Sequence, residues 1–197
     1  MSRRYAYDAN QHEYLDVTRG EVLPHITGLL KRGGWVDDEW YTDECKVRGS
    51  AVHQLTADFD LASFTRADLP ALTSPYKSYL EAHVSLCDLL SPKWEMVEEA
   101  LIHEYWRFGG RPDRLAKIGG VLTLCEIKSG GKESWHGIQL ALQAILVEPE
   151  IKVPATQIQR WGWYLQRNGK GKIEKYTDPA DFDKAYRILT DVCEVAA

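Results

Sequence analysis

The chain has no apolar run approaching the roughly 20 residues that cross a bilayer. Its first residues, Met1-Ser2-Arg3-Arg4-Tyr5, lack the apolar centre of a secretory signal. These absences predict a cytoplasmic protein with no membrane partner. It has only four cysteines, Cys45, Cys87, Cys125 and Cys193, and none belongs to a C-x-x-C pair. That spacing excludes a zinc ribbon or a compact iron–sulfur motif, and a reducing compartment disfavours disulfides. All four read as structural, with Cys87 and Cys125 as small buried hydrophobes in apolar patterns. Internal repeats, low-complexity tracts and long linkers are also missing. The glycine pairs Gly109-Gly110, Gly119-Gly120 and Gly130-Gly131 fit turns, because none sits in a Walker or dinucleotide fingerprint.

What remains is a globular composition, 44% hydrophobic and 27% charged over 197 residues, which suits a single domain with a real core. A net charge of −5 taken alone disfavours a nucleic-acid partner. The distribution of charge along the chain points the other way. Residues 105–175 hold 12 Lys+Arg against 6 Asp+Glu, whereas the rest of the chain holds 12 against 23. A basic segment within an acidic chain provides a phosphate-binding face.

Periodicity predicts helices over 20–34, ended by Gly33-Gly34, and over 42–60, capped by Thr42 or Asp43 with Val47, Ala51, Leu55 and Phe59 inward. A third opens at Ser74-Pro75, carries Tyr76, Tyr79, Leu80, His83, Val84, Cys87 and Leu90 on one face, and closes at Ser91-Pro92. Strands are expected at 96–105, 107–118 and 121–127, the last two joined by Gly119-Gly120. A helix over 134–147 follows, with Ile138, Leu142 and Ile145 on one side. A hairpin of 159–167 with 172–176 comes next, its Trp161, Trp163 and Tyr164 read as core. A final helix runs from Thr177 or Asp178 to about Val195. The expected fold is α/β (or α+β), a small central mixed sheet flanked by helices. Residues 1–93 form a mainly helical part and 94–197 the sheet core.

The chemistry concentrates in Asp113, then twelve residues, then Glu126-Ile127-Lys128. With Asp113 on the second strand and Glu126 and Lys128 two apart on the third, all three meet on one face. Two converging carboxylates are hard oxygen ligands for Mg²⁺, and a lysine beside them stabilises negative charge at a reacting phosphate.

This pattern resembles the PD-(D/E)XK nuclease superfamily, in particular its RecB-like branch and the related phage exonucleases. Further residues carry the likeness: Gly49 and His53 as G-x-x-x-H, Phe108-Gly109-Gly110-Arg111-Pro112-Asp113-Arg114, Ser129-Gly130 after the lysine, and Gln139 downstream. Leu23-Pro24-His25-Ile26-Thr27-Gly28-Leu29-Leu30 is similar to the opening segment of phage-type members. The resemblance spans roughly residues 20–180 and implies a restriction-endonuclease-like core.

It further implies that Asp113, Glu126, the Ile127 carbonyl and His53 hold Mg²⁺ or Mn²⁺, with Lys128 and Gln139 in the catalytic set. A nitrogen ligand makes Mn²⁺ the natural alternative to Mg²⁺. Arg111, Arg114, Lys132, Arg160 and Gln143 become candidate DNA contacts. Gln143 departs from the branch, which has tyrosine four residues after the glutamine. The implied activity is a phage or mobile-element exonuclease of recombination or repair, acting on double-stranded ends. Homo-oligomerisation and a single-strand-annealing partner are expected. An endonuclease or flap- and nick-processing enzyme stays open, as does a DNA-binding module without turnover.

Overall fold

The computed structural model describes residues 4–36 and 42–193. Met1 to Arg3, and Glu194 and Val195 at the end of the expected last helix, lie outside those residues.

The chain begins with a three-stranded antiparallel meander, β1 (Tyr5–Asp8), β2 (Glu13–Asp16) and β3 (Glu21–Leu23). Sequence periodicity does not anticipate it, and it occupies the start of the segment expected as the first helix. That helix is shorter, α1 (Ile26–Arg32), and His25 caps it by accepting from the Gly28 amide. Next come α2 (Asp43–Asp60), α3 (Lys77–Leu90) and β4 (Lys93–Val97). Thr42 caps α2 through its hydroxyl, which accepts from the Cys45 amide.

The expected strands 96–105 and 107–118 are each broken in two. β5 (Leu101–His103) and β6 (Phe108–Gly110) form a separate two-stranded ribbon, and β7 (Arg114–Ile118) joins the main sheet. Asp113 therefore lies just before β7 rather than within a strand. Pro112 explains the interruption, since its nitrogen has no hydrogen for a ladder. β8 (Val121–Lys128) follows the Gly119-Gly120 turn, whose φ angles of 57° and 85° suit glycine. α4 (His136–Ile151), β9 (Gln159–Leu165), β10 (Gly171–Lys175) and α5 (Ala180–Val192) complete the chain.

The protein is a mixed α/β fold whose central sheet has the order β10-β9-β8-β7-β4. β8 pairs antiparallel with β7 and parallel with β9, so α4 forms the crossover between two parallel neighbours. One face packs Leu115 and Leu124 against α1, α4 and α5, and the other packs Ala116, Cys125, Ile127 and Trp163 against α2 and α3. Burial on both faces accounts for the nearly unbroken apolar run of β8 and for Trp161, Trp163 and Tyr164 as core residues. All four cysteines are free. Among the described residues no helix is long and apolar enough to cross a membrane.

On α2 the inward residues are Val52, Thr56 and Ala57, while Val47 is exposed. The buried face is thus rotated from the expected Val47-Ala51-Leu55-Phe59 stripe, because α2 turns polar residues toward a buried arginine. The meander is fastened by contact with β6. A Cβ placed on Gly109 would lie 2.1 Å from Cγ of Tyr14, so the ring rests directly on the glycine backbone. Gly109→Ala is expected to destabilise the fold by about 1–3 kcal/mol through overpacking. A lowered urea midpoint with an unchanged slope would show it; an unmoved midpoint would mean the meander detaches without cost.

Candidate metal centre

β7 begins at Arg114, opposite Cys125, so the last three residues of β8 extend beyond their antiparallel neighbour. Asp113 fills the notch. Its Oδ2 accepts the Ile127 amide at 2.6 Å. A residue in an antiparallel ladder sends its N–H and C=O to the same side. The Ile127 carbonyl is therefore directed toward the Asp113 side of the strand.

His53 reaches the notch from α2, with Nδ1 3.2 Å from Asp113 Oδ1 and 3.3 Å from Glu98 Oε1. The three ligand atoms lie mutually within 4.8 Å. Adjacent ligands on an ion with bonds of about 2.1 Å sit about 3 Å apart. One nitrogen and two carboxylates thus lie close enough together to hold a small divalent cation.

Glu98 is the acid that sequence reasoning missed, because the expected strand 96–105 ran straight through it. Its residue adopts a left-handed φ of 50°, and its amide donates to the Asp113 carbonyl at 3.0 Å. That conformation is costly for a side chain with a Cβ. Here it ends β4 and turns the carboxylate toward His53. The one sequence signal was the acidic pair Glu98-Glu99 interrupting an otherwise apolar run.

On the other side of β8, Glu126 and Lys128 face α4. Lys128 Nζ lies 2.9 Å from Glu126 Oε1 and 2.9 Å from Gln139 Oε1, and Gln139 Nε2 returns to Glu126 Oε1 at 2.6 Å. The lysine, the acid and the amide close a ring. Gln143 Nε2 donates to Glu126 Oε2 at 2.6 Å. Trp135 flanks the lysine, its ring centroid 5.2 Å from Nζ.

Electrostatics follow from this crowding. Burial opposes charge on His53, but Asp113, Glu98 and Glu126 outweigh it and push its pKa up to about 10. These charges favour the imidazolium form of His53 between its two acids. That stabilisation is complete below the ordinary histidine value and is lost as pH rises through about 10. Burial and the Glu126 charge raise Asp113 to about 6, with His53 acting against them. Burial also opposes charge on Glu126, yet Lys128, the Gln143 amide and His53 hold its carboxyl below the usual range. His136, at the start of α4, is pushed down to about 3 by burial and by Lys128.

Three expected DNA contacts are corrected. Arg114 is completely buried: it donates to Asp60 Oδ2 at 2.6 Å, Glu98 Oε1 at 3.2 Å, Thr56 Oγ1 at 3.1 Å and the Asp113 carbonyl at 2.6 Å. Arg160 is 4% exposed and joins Asp181 at 3.0 Å to the carbonyls of Gly137 and Asp178. Gln143 is 3% exposed and spent on Glu126. None of the three presents a donor to a ligand outside. Arg111 and Lys132 do remain at the surface, Arg111 with Nε 3.2 Å from Glu98 Oε2 and Lys132 paired with Glu174 at 2.6 Å.

A second grouping, Asp60, His83 and Cys87, also brings ligand atoms within 4.8 Å of one another. The Arg114 guanidinium already occupies Asp60 there, and burial pushes the Cys87 thiol far from its reactive anion. It is a buried polar network joined through Arg114 to Glu98 of the candidate site. The concavity of about 330 Å³ bounded by Arg160, Trp161, Lys175, Tyr176 and Phe182 shares no residue with the centre. No family model matches the chain, and no curated protein matches it.

Proposed function

We propose that the protein is a metal-dependent deoxyribonuclease that hydrolyses DNA phosphodiester bonds. The observation that carries this reading is the grouping of His53, Glu98 and Asp113 within 4.8 Å, beside the end of β8 whose α4 side holds the Glu126–Lys128–Gln139 ring. His53, Glu98, Asp113, Glu126 and the Ile127 carbonyl would hold Mg²⁺ or Mn²⁺, the imidazole favouring manganese. Such an ion, when bound, polarises a phosphate oxygen and makes water a stronger nucleophile near neutral pH.

The protein groups divide the remaining work. Lys128, fixed by Glu126 and Gln139, supplies positive charge where the phosphorane-like transition state gains negative charge. Arg111, at the surface beside Glu98, would be within reach of a substrate phosphate. Lys132 extends the contact along the backbone, and affinity falls with salt accordingly. The substrate proposed is a duplex end, processed exonucleolytically in phage-type recombination or repair. A homo-oligomer would keep the DNA enclosed, and a single-strand-annealing protein would take the product.

The test is degradation of linear against covalently closed DNA with Mn²⁺ or Mg²⁺. Loss of the linear form alone is expected. Cleavage of circles would assign an endonuclease, and binding without cleavage of either form would leave a non-catalytic DNA-binding module.

A further inference from the structure

We infer that Gln143 is a positioning residue that aims Glu126 at the cation; the inference rests on the metal-centre reading above. A carboxylate offers about four lone-pair positions, two on each oxygen. Glu126 Oε1 receives Lys128 Nζ at 2.9 Å and Gln139 Nε2 at 2.6 Å, so both of its positions are taken. Among the described residues Oε2 receives only Gln143 Nε2, at 2.6 Å. One position is left, and it lies on the oxygen that Gln143 holds.

The two amides stand four residues apart on α4 and so project from the same helical face. Between them they grip both oxygens, which stops rotation of the carboxylate about its terminal bond. Gln139 and Lys128 are themselves linked at 2.9 Å, so their side of the grip is cross-braced. The Oε2 side depends on Gln143 alone. An apolar residue there would leave Oε2 without that donor inside a closed core and free to turn. Burial within α4 also removes the competing role of touching DNA.

Groups that orient a ligand typically account for about 10- to 100-fold in metal affinity. Mn²⁺ binding to the full chain by calorimetry, alongside its melting temperature without metal, tests the idea. Gln143→Leu keeps the volume and should weaken Mn²⁺ binding at least about tenfold while the protein stays folded. Gln143→His restores an N–H donor of similar reach and should recover most of the affinity. A leucine variant that binds Mn²⁺ as tightly as the parent overturns the inference and leaves the metal centre standing. A folded histidine variant as weak as the leucine one overturns the donor role. If the unaltered protein takes up no Mn²⁺, the metal-centre reading and this inference fall together.

Discussion

On the proposed nuclease reading, Lys128→Ala is expected to lower the rate of phosphodiester cleavage by roughly 10²–10³-fold, the usual cost of losing one preorganised charge at a transition state. Its surroundings make this a clean experiment. Glu126 loses one of three donors and its nearest counter-charge but keeps both amides, so its position is retained. Mn²⁺ affinity should therefore change little, whereas single-turnover cleavage of a linear duplex should nearly vanish. Lys128→Arg keeps the charge but replaces a compact ammonium with a planar fork in a space closed by Trp135 and Gln139. It should rescue poorly. Unchanged turnover in the alanine variant would remove the lysine from the mechanism.

Arg114→Met should produce the largest loss of stability, about 3–5 kcal/mol, because it leaves buried acids without their counter-charge. Asp60 and Glu98 both depend on this guanidinium, and the Asp113 carbonyl and Thr56 hydroxyl lose a donor with them. For a domain of this size the melting temperature should fall on the order of 10 °C. Adding Asp60→Asn should recover part of the loss, since it removes one stranded charge; strict additivity of the two changes would argue against direct coupling. The exposed pair Lys117–Glu95, at 2.9 Å, gives the contrast: breaking it should cost less than about 1 kcal/mol.

Much of the fold was legible because its signals are local. The glycine pair before β8, the i, i+4 spacing of α3 and the turn at Asn168-Gly169 each act over a few residues. The meander of β1 to β3 was not, since strands of three or four residues carry too few positions to establish a period. Asp113, Glu126, Lys128 and His53 were named from the order of motifs; the structure groups Asp113 and His53 with Glu98, and turns Glu126 and Lys128 toward α4 instead of bringing them onto one face with Asp113. Glu98 escaped because its approach depends on a left-handed residue, which no pattern of side chains announces. Arg114 and Arg160 were misassigned for a related reason. An arginine in a strand reads as a surface cation until its buried partners, Asp60 and Asp181, are brought from distant segments.

The parallel pairing of β8 with β9 has a consequence for the order in which the protein is made. When residue 128 has left the ribosome, the motif acids and the lysine already exist, and β7 is in place beside them. The amides that grip Glu126 come only with α4. That helix is in turn tied down by Arg160, which reaches the Gly137 carbonyl from a strand synthesised later, and by Asp181 in α5. Groups complete in the chain by residue 128 thus wait some fifty residues, at about 5–20 residues per second, for their scaffold. A growing chain spends that interval with its acids present and the amide grip on Glu126 unmade, and the arrangement is complete only once α5 has emerged.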